Sequence, residues 1–431
     1  MNRRPNYPSH RTSQDPRFPT SPDRVLETLS RISFPSLPEQ SISGLLTEGL
    51  SQFIGVDEND DFSSFACSLL SDLWDRSLRD KFYTPVYLIL DLYEFVLVTS
   101  QQRPTISLID RFLPLATKTI DLVAIPRVRL CPESEVDAHL IECINVDQIL
   151  SIMHNMAFDA SLSTDTCQAF WKKMEFDFAL MMLNKSQPIP QILLVLRMLG
   201  TSALPETFSI ISDNAQKQAT LEGHTIDRLT TLLFERPEAP SYEVPYEDTE
   251  ITSLQIETIR TLTAVAMTRH GSGVLALHRT AMGRLIRILH VSVTQLYNIP
   301  PSRHVMLGSA SESTGVHTIH QVMVSLISLT VRLIHHLMIN HGDVIDLREK
   351  LTVIPGGHHK FLISMTRIAF SEQLVFEGGL EDEAVDAAHD ILDRILSPDE
   401  GEAVVQALET PRGSRASIRI EEERMYMMGS L

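Results

Sequence analysis

From Pro38 to Glu409 apolar residues recur every three or four positions, with short breaks and almost no strand-like alternation. That periodicity constrains the chain more than any other feature, because it gives each segment one apolar stripe that a neighbouring helix must cover. Leu45, Leu46, Leu50 and Phe53 mark one such stripe. Phe62, Phe65, Ala66, Leu69, Leu70, Leu73 and Trp74 mark a second, with Asp60 or Asp61 placed to cap it. Val86 to Val96 forms a third, opened by Thr84-Pro85, and Ile106 to Val123 a fourth. After a break at Pro126 to Pro132 the pattern resumes over Val136 to Phe158, then over 164–183, 189–200 and 221–234. Later helices are predicted over 251–270, 274–297 and 316–340, the last being the most apolar and so expected near the centre of its unit.

Three short helices are expected to close the array. The first runs from about Lys360 to Phe376, with Phe361, Leu362, Met365, Ile368, Ala369 and Phe370 at helical spacing, and Gly378-Gly379 ends it. In the second, Val385, Ala388, Ile391, Leu392, Ile395 and Leu396 share a stripe. Glu381, Asp382 and Glu383 sit in its first turn and Arg394 near its end, as the helix dipole favours. Ser397-Pro398-Asp399-Glu400 carries the cap and first-turn signature of the third. Residues 380–409 hold ten Asp and Glu against one Arg, which reads either as a solvated outer face or as a docking surface.

Antiparallel helix pairs at irregular intervals predict an all-α, HEAT/armadillo-like helical repeat array, with a divergent helical bundle as the structural alternative. A chain of 431 residues is too long for one globular unit. The expected organisation is a disordered Pro-rich tail over 1–34, a helical-repeat region over 35–234 and an acidic Pro-rich linker over 235–250. A second repeat region over 251–355, a three-helix region over 356–409 and a tail over 410–431 follow. The linker holds Pro237, Pro240 and Pro245 with six acidic residues and is expected to be mobile, unless Tyr242 and Tyr246 make it a peptide-like contact. Pro300 to Gly315, rich in Ser and Gly, is expected to be a flexible loop.

Composition narrows the function classes. A net charge of −18 argues against nucleic acid as the main partner, since phosphate binding needs a basic surface. Cys67, Cys131, Cys143 and Cys167 form no CxxC pair and suit reduced, buried thiols. Met1 to Pro22 lacks the apolar core of a secretory signal. The most apolar run, Val322 to Val331, is shorter than the roughly 20 residues a membrane span needs, so no membrane partner is expected.

Sixteen histidines invite a search for metal ligands. His317 and His320, the group His335, His336 and His341, and His358-His359 are the dense places, but no cysteine or carboxylate pattern accompanies them. No metal or cofactor is expected. Gly271-Ser272-Gly273 has the wrong spacing for a nucleophile elbow, and Gly308-Ser309-Ala310-Ser311 lacks the lysine of a phosphate-binding loop, so no catalytic residue is assigned. Asp57 to Phe65 resembles acidic-aromatic docking motifs; a helix start with both phenylalanines in the core is the favoured reading. Ser-Gln or Thr-Gln dipeptides begin at Ser13, Ser51, Ser100, Ser186 and Thr294. Ser13 is the candidate phosphosite, because it alone falls in the segment expected to be accessible.

Leu73-Trp74 through Lys81-Phe82-Tyr83-Thr84-Pro85-Val86-Tyr87-Leu88, together with Phe361 through Ala369-Phe370 to Leu408, resemble the fungal ATRIP-type checkpoint subunits, the UvsD-like proteins, over most of residues 40–409. The resemblance implies a non-enzymatic regulatory subunit of the DNA-damage response, located in the nucleus, whose helical-repeat body binds an ATR-type checkpoint kinase. It also implies indirect recruitment to single-stranded DNA coated by replication protein A, and a dimerising coiled coil. The first 40 residues contain no heptad run, which leaves dimerisation and recruitment by the family's usual N-terminal element unsupported here and the oligomeric state open. The alternative is a generic armadillo/HEAT adaptor with unrelated cargo; direct binding of single-stranded DNA and an enzyme are the other classes. Phe361, Phe370, Leu374 and Phe376 crowd one short helix and its end. Phe370, Leu374 and Phe376 are therefore the candidate partner-binding residues, with the acidic helices as a polar rim.

Overall fold

The computed structural model describes residues 22–53, 62–100, 103–129, 138–239, 244–298, 314–370 and 379–396. Among them are 18 helices and one two-stranded antiparallel ribbon, β1 (Ser33–Phe34) with β2 (Leu37–Ser41). The fold is all-α, as the periodicity predicts. Two compact units divide the chain: residues 1–228 with 236–246, and residues 229–235 with 247–431.

In the first unit, helices α3 (Phe62–Arg79), α5 (Ile106–Arg129) and α8 (Thr164–Lys173) pack in series as one layer. Helices α4 (Val86–Ser100), α7 (Val146–Ala160) and α10 (Ile189–Gly200) form the other. Helix α4 packs on α3, α7 on α5 and α8, which is the two-layer stacking of a helical-repeat array. Trp74, Tyr93 and Phe112 meet at the core, with ring centroids 5.1–5.5 Å apart, and the buried Trp74 Nε1 donates to Thr119 Oγ1 at 3.0 Å. Lys81, in the turn between α3 and α4, adopts a left-handed φ of 52° and lets Phe82 N reach back to Ser77 O at 2.9 Å, closing α3.

The second unit repeats the plan. Helices α12 (Asp248–Ala266), α15 (Thr314–His341) and α18 (Asp382–Ile395) lie in one layer, and α14 (Ala281–Asn298) and α17 (Gly357–Phe370) in the other. The short helix α13 (Arg269–Leu277) bridges them, and α16 (Leu347–Thr352) packs on α14 and α17. Within α15, Ile319–His341 is long and apolar enough to cross a membrane by length and composition, which the shorter apolar run in the sequence did not suggest. Here it is the central helix, with Leu326, Ile327, Val331, Leu333, Ile334 and Leu337 buried against its neighbours.

Several expectations fail for identifiable reasons. Residues 22–34 of the expected disordered tail are structured: α1 (Pro22–Leu29) packs on α2 (Ile42–Phe53) and α4, and Val25, Leu29 and Phe34 are buried. The polar composition of 1–34 hid this eight-residue amphipathic stretch. Pro126 does not break α5, which continues to Arg129 with Pro114 and Pro126 inside it. The expected helix over 136–158 is two, α6 (Ala138–Cys143) and α7, with Asn145 capping the second through Gln148 N at 3.2 Å. Within the expected mobile linker, Glu238 N bonds to Lys185 O at 3.1 Å and the Tyr246 hydroxyl accepts from Ile189 N at 3.1 Å. These contacts hold residues 236–239 and 244–246 to the first unit. Helix α12 then begins at Asp248, where Glu250 reaches back to Glu247 N at 2.8 Å.

Buried polar groups are organised rather than scattered. Glu222, on α11 (Ala215–Leu232), is 1% exposed. It accepts from Thr207 Oγ1 at 3.0 Å, Phe208 N at 3.3 Å and Gln218 Nε2 at 2.9 Å, pinning the loop before α11. Cys67, Cys143 and Cys167 are buried thiols, and burial pushes Cys167 up to about 11.

Candidate partner-binding surface

The two closing helices within the described residues are built for different neighbours. On α17, Phe361, Met365 and Ile368 are buried at helical spacing, so Phe361 is core. Phe370 ends the helix 40% exposed, its ring edge-on to His389 with centroids 4.7 Å apart. Phe370 thus sits at a rim. Leu374 and Phe376 lie outside the described residues, as do Ser13, the third closing helix and the Pro300–Ser313 part of the expected loop.

On α18, Ala384, Ala387, Ala388, Ile391 and Leu392 face inward, and the three alanines allow close approach to α15 and α17. Ion pairs then fix the docking. Arg332 of α15 lies 3.5 Å from Glu381 and 3.1 Å from Glu383. His335 Nε2 meets Asp390 Oδ2 at 2.7 Å, and Arg394 Nε meets the same oxygen at 3.1 Å. The hydrogen bond from His335, with further help from Arg394, holds the Asp390 carboxyl below the usual carboxylate range. Glu381, Glu383 and Asp390 therefore pair across to α15, which splits the acidic stretch into two roles. Asp382, Asp386 and Asp393 remain exposed on its outer side.

The group His335, His336 and His341 resolves into separate structural bonds. His335 goes to Asp390, His336 Nε2 to Ala266 O at 3.0 Å, and His341 Nε2 to Ser272 Oγ at 2.8 Å. Among the described residues no three His, Cys, Asp or Glu side chains converge as metal ligands. Ser272 is 4% exposed and also donates to Arg269 O at 3.1 Å, closing the first turn of α13. In the first unit, an open depression of about 470 Å³ is lined by Thr164, Gln168, Glu206, Asp213 and Gln218. Gln218 is already bonded to Glu222, and Asp213 to Lys172.

Two further sequence expectations need correction. Phe62 is 52% exposed and Phe65 half-buried, both against Phe53 at 5.2–5.4 Å, so they form an edge cluster and not core; Asp57 to Asp61 lie outside the described residues. Ser51 is exposed on α2, so a Ser-Gln site lies open on a folded element. Thr294 Oγ1, by contrast, is buried.

The architecture and its exposed rims define a class: an all-α helical-repeat protein with no assembled catalytic group among the described residues. Residues 115–338 match the family described as Rad26-like, helical repeats, and residues 345–408 match Rad26-like, C-terminal domain. The chain belongs to the Rad26-like family, a checkpoint family of the DNA-damage response. Its fold is similar to the crystal structure of Myceliophthora thermophila Rad26 (residues 373–841), with a TM-score of 0.72 and 24% identity over 86% of this chain and 96% of that one. No curated protein matches the chain.

Proposed function

We propose that this protein is a non-enzymatic scaffold subunit that binds an ATR-type checkpoint kinase in the nucleus. The observation that carries the reading is membership of the Rad26-like family across both units' helical arrays. A two-layer array offers long rows of exposed helix, suited to holding another helical protein by many weak contacts. Phe370, half-exposed at the end of α17, is the described anchor for that contact, with the outer acids of α18 as its polar rim. Indirect recruitment to single-stranded DNA through replication protein A belongs to the same reading.

Co-expression with the ATR-type kinase of the same organism, followed by affinity purification at moderate salt, tests it. The kinase is expected to co-purify stoichiometrically. Recovery of unrelated cargo with no kinase would favour the generic adaptor and overturn the reading.

A further inference from the structure

Charge is unevenly spread along this chain. Residues 258–371 hold eleven Lys and Arg against four Asp and Glu, a net +7 within a chain of net −18. Part of this excess gathers on α14 and α17. The two helices lie side by side: His290 Nδ1 meets Ser364 Oγ at 3.2 Å, and further along both helices the Arg367 guanidinium covers the Tyr297 ring at 5.0 Å.

Arg287 points outward from α14 and lies 4.4 Å over the ring of Phe234. Lys360 and Arg367 share one side of α17 with Phe370, at spacings of seven and three residues. Elsewhere in this unit, Arg260, Arg332 and Arg394 each pair with a carboxylate. Arg287, Lys360 and Arg367 pair with none among the described residues. All three are half- to fully exposed. Two of them already lie over aromatic rings, so less side-chain freedom remains to be lost on binding. Exposed Val291, one turn beyond Arg287 on α14, and Phe370 at the end of α17 add apolar area to the same side.

We propose that the outer face of α14 and α17 is a docking surface for a short acidic segment of a partner protein, one carrying apolar side chains among its carboxylates. Charge complementarity favours that occupant. A nucleic-acid strand needs a longer cationic track than three side chains supply. A second copy would bring an acidic α18, but a charge of −18 on each copy opposes the encounter. The chemistry recognised is the same whether or not the chain binds the proposed kinase.

The test uses the full chain and fluorescence anisotropy with a labelled peptide of Asp and Glu interspersed with Phe. A thymidine oligonucleotide of equal charge is the second probe. Arg287→Glu/Lys360→Glu/Arg367→Glu is expected to weaken peptide binding at least about tenfold. The milder Arg287→Gln/Lys360→Gln/Arg367→Gln should weaken it less, with an unchanged melting temperature. Arg103→Glu/Lys118→Glu/Lys217→Glu, which changes net charge equally in the first unit, should leave it intact. Binding should also fall steeply with salt. No peptide binding at low salt would overturn the proposal, as would equal loss in the control variant. So would tighter binding of the oligonucleotide, or a self-association by sedimentation that the triple reversal abolishes.

Discussion

At the scale of single residues, burial separates side chains that the sequence presents as equals. Phe361 and Phe370 lie on the same helix in similar apolar company, yet one is 1% and the other 40% exposed. Phe361→Ala should therefore cost roughly 3–5 kcal/mol in urea denaturation, as a core truncation does. Phe370→Ala should cost less, roughly 1–2 kcal/mol, in proportion to the part of the ring still out of water, while weakening kinase binding per folded molecule. Equal stability losses for the two would remove Phe370 from the candidate surface. Leu29 tests the corrected N-terminus in the same way. It is fully buried, so Leu29→Ala should destabilise the first unit by about 2–5 kcal/mol; a disordered tail would show no effect.

At the scale of elements, α18 is docked by packing, and surface ion pairs add to it. Asp390 has a depressed folded-state pKa, so its contribution is complete above the unfolded carboxyl range and is lost as pH falls through the lower folded value. Asp390→Asn should thus be less stable than the parent at neutral pH. The gap should close as both are taken below about pH 4, the ordinary carboxyl range. Circular dichroism across an acid titration measures this, and a gap that persisted at the lowest pH would mean the substitution harms packing instead. Helix α12 shows a different control. Its start at Asp248 is set locally, by the reach of Glu250 to Glu247 N, a pattern present in sequence inside what reads as a linker.

At the scale of the whole molecule, both tryptophans, Trp74 and Trp171, are buried in the first unit. Tryptophan fluorescence therefore reports that unit alone, while circular dichroism reports helices of both. Urea unfolding should give non-coincident curves by the two probes if the units unfold separately, and superimposed curves would show one cooperative block. Helix identity was determined by the sequence itself. Apolar period is a local property, so helices such as 189–200 are legible to the residue, and the weak alternation rightly predicted almost no sheet. The failures were also local: a short amphipathic stretch inside a polar tail, prolines tolerated within α5, and a capping box inside an acidic linker. What only the tertiary structure decided is which face of each helix stays in water and which polar groups meet. His335 finds Asp390 across 55 positions, and Ser272 finds His341 across 69. The unpaired cations of α14 and α17 become one surface only because Tyr297 and Arg367, 70 positions apart, pack side by side. Periodicity specifies that a stripe must be covered. It does not specify by what, because that choice belongs to the sum of long-range contacts and not to any one segment.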